Sequence, residues 1–544
     1  MSALDKVRTY GLLAADLWRW RRLTAGMRAA RPALAQSRRL IICDLVNSLM
    51  SAKAQGLIAR AAQDRGMATT VLMARPWRLA EATYRAAGPV EFVYLDDFLT
   101  TDIRRRAEDE AARLVEADPH LTGLITLEQD GIRVGRNVMS IVLRHLRQGR
   151  IDPSNREHRD LVRRQLAQSL ATKEASAALL RAHPAQAALF NERGYTPAGE
   201  FFDSCLMAGV DAIQWLGAPQ AERLLFKRYG LENRPMHPLA LSDASWERIK
   251  ARPWTAELDQ RLMAQMTGHY NSGTWYNRQQ LQDGKQIKPA HEVRRQLGLD
   301  PDKKTAVIFC HILYDATFFF GDSLYPDYES WLVETVRGAM ANPHLNWVVK
   351  VHPVNVWRSK MDGQPMEQLE AQALQRAFGT LPDHIRIMAA DTDINTLSLF
   401  NAMDYGLTVR GTVGMELPCF GVPVVTAGTG RYAGRGFTMD PADPDEYQRL
   451  LARLHEVPAL APEVVELARR YAYGTFFLRP IPFTSFALDF NADGRGVVAL
   501  NQNVRLQAGL TEIPPDLAAL ADWMANGREA DYLDPHAAAK EWDQ

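Results

Sequence analysis

Short apolar runs alternate with helix-length segments twice along this chain, and that rhythm constrains the fold more than any other feature. The first series opens at "RRLIICDLV" (38–46), an unbroken apolar run of the kind found in a parallel strand buried on both faces. A segment at helical spacing follows over 51–65. Strand candidates come next at "MATTVLMA" (67–74) and "PVEFVYL" (89–95), before a charged helix over 101–116. "AALF" (187–190), a helix through "AGEFFDSCLMAGV" (198–210) and "DAIQWLG" (211–217) repeat the pattern. The second series is clearer. Strands are predicted at 305–312, at the run ending on His352, at 384–389, at 405–410 and at 423–428, with helices over 328–340, near 366–378 and over 393–402. Strands alternating with helices predict a parallel, doubly wound sheet.

Two such series fit a length of 544 residues, which is too long for one hydrophobic core. The expected division is a basic helical segment (1–37), a Rossmann-like domain (38–250), a polar helical linker (251–300), a second Rossmann-like domain (301–455), and helices with an extension (456–544). The fold class is α/β, with the two domains facing across a cleft. Segment 218–300 reads as mostly helical, the passage out of the first domain. Residues 475–544 stand outside the pattern.

Composition excludes several classes. Lys+Arg and Asp+Glu are equal at 64 each, which gives no field for nucleic acid. Hydrophobic content of 47% and charged content of 24% are those of a globular protein. Cys43, Cys205, Cys310 and Cys419 are scattered in apolar settings without a Cys-x-x-Cys pair, as expected for reduced, buried thiols. No apolar run reaches the roughly 18–20 residues that span a bilayer, and the start lacks the apolar core and cleavage site of a signal peptide. The expected location is cytoplasmic. The first forty residues, however, carry nine Lys/Arg (Lys6, Arg8, Arg19, Arg21, Arg22, Arg28, Arg31, Arg38, Arg39) interleaved with Tyr10, Leu12, Leu13, Leu17, Trp18 and Trp20. Such a helix either lies peripherally on the inner membrane or packs its apolar side on the protein body.

Ligands of open parallel sheets bind beyond the carboxyl ends of the strands. In the second series three strand ends carry groups suited to a phosphorylated ligand. His311 closes the first, with Asp315 four residues on. His352 closes "VVKVHP", with Lys350 two residues back on the same face. Arg410 closes the third and runs into "GTVGMEL". There Gly411, Thr412 and Gly414 allow close backbone approach, and a helical turn offers free N–H groups to an anion. Glu416 lies just inside that turn, in reach of ribose hydroxyls. Pro418 removes an amide and predicts a short or distorted helix. Singly, each residue has an ordinary structural role open to it; three consecutive strand ends on one rim favour a phosphate site.

"FCHILYDATFFFGDSLYPDYESWLVETV", "KVHP" and "VRGTVGMELPCFGVPVVTAGTGRYAGRGFT" together resemble the bacterial capsule and surface-polysaccharide biosynthesis glycosyltransferases of GT-B fold. The resemblance covers about 300–455 and extends more weakly to 191–210 and 237–249. It implies a nucleotide-sugar donor held mainly by the second domain and a glycan or lipid-linked glycan acceptor held mainly by the first. By the same resemblance His352 sits at the donor phosphate and Glu416 near the ribose, while Ala is common where Pro418 stands.

The expected chemistry is sugar transfer without a cofactor, the nucleotide-sugar being a substrate. His311, Lys350, His352, Arg410 and the 411–414 amides would stabilise the leaving nucleotide in place of a metal ion. "DTD" (391–393) is the one metal-motif candidate, and Asp393 is more simply a helix N-cap. Asp315, in an aromatic loop read as mobile, and Glu192, in "NERGYTPAG", are candidate bases for the acceptor hydroxyl. Alternatives are a CDP-polyol phosphotransferase of teichoic-acid type, a nucleotide-sugar epimerase, and a non-catalytic subunit of a polysaccharide assembly complex.

Overall fold

A computed structural model describes residues 3–29, 37–46, 48–220, 222–275, 281–363, 366, 368–490, 502–506 and 508–534. The chain divides into two compact units. One comprises Met1–Ile141, Pro153–Arg234 and Arg479–Gln544; the other comprises Val142–Asp152 and Pro235–Leu478.

The first unit is built on β1 (Arg38–Asp44), β2 (Met67–Met73), β3 (Glu91–Tyr94), β4 (Ala187–Phe190), β5 (Asp211–Gly217) and β6 (Arg223–Tyr229). With the short strand Ile481–Pro482 they form a seven-stranded sheet in the order 481–482, β6, β5, β4, β1, β2, β3. The pairs from β3 through β5 are parallel, whereas β5–β6 and β6 with Ile481–Pro482 are antiparallel. The apolar runs behave as expected: Leu40, Ile41 and Ile42 are fully buried. Thr100, Asn155 and Ser48 cap the helices Thr101–Ala117, Arg156–Ala182 and Leu49–Asp64, each accepting from a first-turn backbone N–H.

Both ends of the chain contribute to this unit. Trp20 and Met27 join its core from the N-terminal side; Phe486, Leu488, Leu517, Leu520 and Trp523 join it from the C-terminal side. Lys227 on β6 forms a fully buried ion pair with Asp531 (2.6 Å), and Arg479 lies 3.6 Å from the same carboxylate. Burial pulls the Lys227 ammonium down to about 8. These contacts correct the sequence division at three points. Residues 223–229 are an antiparallel strand rather than part of a helical passage. The described part of 479–534 completes the first unit instead of extending beyond it. The second unit begins at Pro235, and so takes in both the expected end of the first domain (235–250) and the segment read as a linker (251–300). Arg31 and the tail 535–544 lie outside the described residues.

The second unit carries β7 (Thr305–Phe309), β8 (Asn346–Lys350), β9 (Ile385–Met388), β10 (Tyr405–Thr408) and β11 (Val424–Thr426). All neighbours are parallel, in the order β11-β10-β7-β8-β9. Period-two alternation feeds two apolar layers. Ala306, Ile308, Trp347 and Val349 pack on one face with Trp331 and Val336; Val307 and Val348 pack on the other with Leu399, Phe400 and Leu417. The order of connection reverses between β7 and β10, so the switch-point crevice of this sheet opens between the loops after those two strands.

Candidate functional site

His311 stands two residues beyond β7 and Arg410 two residues beyond β10, so both flank the switch-point crevice. His352 holds the same position beyond β8. The three strands stop two or three residues earlier than the apolar runs suggested, which leaves the polar residues on the rim.

The hydrogen bonds of each histidine assign its tautomer. His352 Nδ1 accepts from the Val354 N–H (3.2 Å) at the start of the helix Val354–Asp362. The ring proton therefore sits on Nε2, the nitrogen left for a ligand. Burial, then the charges of Lys350 and Arg358, pull the His352 pKa down to about 3, so the ring is a neutral donor. Pro353 occupies the N-cap position of that helix without a side-chain capping bond, and Glu370 accepts from Asn355 Nδ2 (3.2 Å) and from the His352 backbone. Burial pushes the Glu370 carboxyl up to about 7. His311 is committed differently. Its Nε2 accepts from the N–H groups of Val409 (3.2 Å) and Arg410 (3.3 Å), and its ring stacks on Tyr328. His311 thus ties β7 to the turn after β10 and keeps Nδ1–H as its donor; burial, and then Arg410, hold its pKa well below the usual range.

Arg410 is 3% exposed. Its Nη2 donates to Asp322 O (3.0 Å) and to Ser323 Oγ. The Tyr328 hydroxyl also interacts with the guanidinium, but its Nε and Nη1 are buried without a well-formed hydrogen bond among the described residues. A buried guanidinium with two under-satisfied donor groups is costly unless an anion completes it. Lys350 is 8% exposed, lies over the Phe309 ring, and is pulled down to about 8 by burial and by Lys285.

Two adjoining cavities share His311, His352, Gly411 and Thr412. The larger, of about 280 Å³, is lined further by His237, Asp315, Tyr328, Arg410 and Arg431. The smaller, of about 140 Å³, is lined by His269, Tyr270, Trp275, Lys350 and Glu416. Glu416 is almost fully buried, its carboxyl is pushed up by burial, and Tyr270 Oη donates to it. His269 stacks on Trp275 with ring centroids 3.8 Å apart, and burial holds it neutral at about 3. One cavity is cationic; the other has an aromatic wall and a carboxyl.

The structure brings nine of the ten expected residues into the second unit, and Gly414 alone of these does not line a cavity. A Cβ on Gly414 would stand 1.9 Å from Tyr432 Oη, and that hydroxyl donates to Gly411 O (2.8 Å). Its small size admits Tyr432, which braces the turn, so the glycine supports the site from behind. The helix Val413–Cys419 is short and contains Pro418, as the missing amide predicted. Glu192 belongs to the first unit, where its carboxylate caps the turn by accepting from the N–H groups of Arg193 (2.7 Å) and Gly194 (3.0 Å).

Two expectations are corrected. Asp393 is not a helix N-cap. Asn395 caps Thr396–Phe400, whereas Asp393 pairs with Lys288 (2.6 Å) and accepts from Gln296. The loop carrying Asp315 is knitted down rather than loose. Asp315 pairs with Arg358 (3.1 Å), Gly321 N donates to Pro235 O (2.7 Å), and Asp322 and Thr429 exchange hydrogen bonds. Sequence reasoning missed His237, Arg431, His269, Tyr270 and Trp275. The last three lie at or just after the end of the helix Ala256–Ser272, which Gly273 closes in the left-handed conformation (φ 65°). The signal available was a His–Tyr pair and a Trp clustered around glycines in an otherwise polar segment.

No protein-family model matches the chain, and no curated protein matches it in sequence. Solved structures to which it is similar include two of KpsC from Thermosulfurimonas dismutans. The beta Kdo 2,4 transferase is 14% identical, with a TM-score of 0.33, over 59% of this chain and 87% of that one. The beta Kdo 2,7 transferase is 16% identical, with a TM-score of 0.31, over 61% of this chain and 85% of that one. The chain is also similar to UDP-GlcNAc 2-epimerase from Neisseria meningitidis, bound to UDP-GlcNAc: 10% identity, TM-score 0.28, over 80% of this chain and 96% of that one.

Proposed function

We propose that the chain is a glycosyltransferase of GT-B type that takes a sugar from a nucleotide-activated donor. The acceptor is a growing capsule or other surface polysaccharide, or a lipid-linked glycan presented at the inner membrane, with the protein peripheral to that membrane. The observation that carries the donor half is Arg410, a buried guanidinium at the switch-point crevice whose Nε and Nη1 lack a well-formed hydrogen bond among the described residues.

In this reading the donor phosphate meets Arg410 and the Nε2–H of His352, with the Lys350 ammonium nearby. The nucleoside enters the smaller cavity, bounded by the aromatic wall of Tyr270 and the stacked His269–Trp275 pair, and Glu416, oriented by Tyr270, accepts from ribose hydroxyls. As the bond from the anomeric carbon to the phosphate oxygen breaks, negative charge grows on the leaving nucleotide. The fixed cation and neutral N–H donors stabilise that charge without a metal ion. The acceptor hydroxyl must lose its proton to a base. Asp315, which lines the larger cavity, and Glu192, in the first unit, are the proposed candidates.

The test is calorimetric titration of the full chain with CMP, CDP, UDP and GDP, followed by product analysis with donors of the nucleotide that binds. Sugar transferred to a glycan with release of the nucleotide is the expected result. Transfer of glycerol phosphate from CDP-glycerol would assign a phosphotransferase, and an epimerised but untransferred donor would assign an epimerase. Nucleotide binding without turnover would assign a non-catalytic subunit. Failure of every nucleotide to bind would remove the donor site.

A further inference from the structure

The helix Ala3–Leu23 is a basic, tryptophan-bearing segment that neither cavity uses. Sequence alone left two readings open for it, a face against the protein or a face against a membrane. The structure shows two separate faces. One docks on the first unit. Trp20 is 2% exposed and its indole N–H donates to Thr83 O (3.2 Å); Asp16 pairs with Lys53 (2.7 Å); Leu13 and Leu23 pack on the same core. Just beyond the helix, Thr24 Oγ donates to Ala86 O (2.7 Å) and Met27 is fully buried.

The opposite face remains uncovered by the described residues. Val7, Gly11, Ala14 and Trp18 recur at i, i+4, i+7 and i+11, a single stripe along the helix, with Tyr10 at its edge. Val7 is 72% exposed, Tyr10 71% and Trp18 64%. Arg8, Arg19, Arg21 and Arg22 are all exposed and flank this stripe, Arg22 holding its guanidinium over the Trp18 ring at 5.7 Å. The acid Asp16 is turned inward to Lys53. The outward face therefore combines apolar side chains, interfacial aromatics and arginines.

We infer that this outward face of Ala3–Leu23 docks on a bilayer surface rich in anionic phospholipid, with the helix lying in the interface plane. Val7, Tyr10 and Trp18 would enter the headgroup boundary while the arginines meet lipid phosphates. The occupant is chosen by charge. A neutral partner protein would leave four arginines uncompensated, whereas a surface of phosphodiester headgroups compensates all of them at once. Trp and Tyr are also the side chains that favour the boundary between headgroup and hydrocarbon. This deepens the proposed function, on whose lipid-linked acceptor its biological sense rests, but the physical argument uses the helix alone.

The experiment is flotation of the full chain with phosphatidylglycerol-containing vesicles and with pure phosphatidylcholine vesicles, at low and high salt. Substitutions are confined to the outward face, because deleting 1–31 would also strip Trp20 and Met27 from the core. Binding is expected only to the anionic vesicles and should weaken with salt. Tyr10→Ser with Trp18→Ser should lower partitioning by about tenfold. Each of Arg8, Arg19, Arg21 and Arg22 changed to Gln should lower it about fivefold. No binding to anionic vesicles at low salt would overturn the inference, as would binding that survives both sets of substitutions. Concentration-dependent self-association lost in the same variants, without vesicle binding, would overturn it in favour of a second copy as the occupant. Nucleotide titration of the unsubstituted chain separates the two readings: no vesicle binding by that chain with nucleotide binding intact removes only this inference, and vesicle binding without nucleotide binding removes only the donor site.

Discussion

The proposed function gives His352 two separable jobs, and two substitutions should pull them apart. Nδ1 accepts from the Val354 N–H and so anchors the start of the following helix; Nε2–H is the donor offered to the ligand. In His352→Asn, the amide oxygen falls near the place of Nδ1 and can keep the helix contact, but nothing reaches as far as Nε2. In His352→Gln, the longer side chain carries an N–H to the place of Nε2 and abandons the Val354 amide. A hydrogen bond to a charged partner contributes about 1.5–3 kcal/mol, and a neutral one about 0.5–1.5 kcal/mol. The Asn variant should therefore bind the cognate nucleotide roughly 10- to 150-fold more weakly, with unfolding stability close to the parent. The Gln variant should retain most of the affinity and lose about 1 kcal/mol of stability. Titration calorimetry reads the first quantity and denaturant unfolding the second. The reasoning is refuted if the Asn variant binds like the parent, because His352 would then be only a helix anchor.

Lys350→Met keeps the buried stem and removes a charge that titrates near about 8. Parent nucleotide affinity should fall as pH rises across about 7–9, while the variant binds weakly with no such fall; parallel profiles would take Lys350 out of the site. Glu370→Gln tests a carboxyl raised to about 7, whose stabilising neutral form is fully present below the ordinary carboxylate pKa and lost as pH rises through about 7. The variant should match the parent near pH 4 and exceed it by about 3 kcal/mol near pH 8 in denaturant unfolding. Gly414→Ala drives a methyl into Tyr432 and should cost about 1–3 kcal/mol while weakening nucleotide binding; a thermal shift near zero would contradict the bracing role of Tyr432. Under the proposed function, in which Arg410, Lys350 and His352 would supply the charge and N–H groups at the leaving nucleotide, transfer should survive EDTA; activity lost in EDTA and restored by Mg²⁺ would implicate a carboxylate cluster.

What the sequence made legible follows from period. Strands buried on both faces read as unbroken apolar runs, so β1, β7 and β8 lay open to inspection, and polar residues just past such runs mark a sheet rim. What stayed hidden depends on distance along the chain. His269, Tyr270 and Trp275 reach Glu416 from about 140 residues away, through a helix whose own pattern is polar. Strand β6, "RLLFKRY", carries Arg and Lys because Lys227 meets Asp531, 304 residues later, and no local rule anticipates that pairing. Gly414 was read as room for a ligand when the room belongs to Tyr432, since a missing Cβ does not say which neighbour uses the space. Asp393 looked like a cap because a carboxylate before a helix usually is one; Asn395 stands nearer and takes the role.

The return of residues 479–534 to the first unit sets an order of events during synthesis. By the time Leu478 has left the ribosome, the whole second unit has been made, so that unit can close its core while translation continues. The first unit, begun earlier, must wait. Until the later residues emerge it lacks Phe486, Leu517, Leu520 and Trp523, and Lys227 on β6 has neither Asp531 nor a completed edge beside it. For that interval the half of the chain made first is the half left open, with apolar surface facing water and a buried-type lysine without its counter-ion. Ribosome-bound chains halted at a length where Leu478 has just cleared the exit tunnel should therefore show a protease-resistant second unit and a cleavable first one, and any holding chaperone should be found on β6 and the helix Leu49–Asp64.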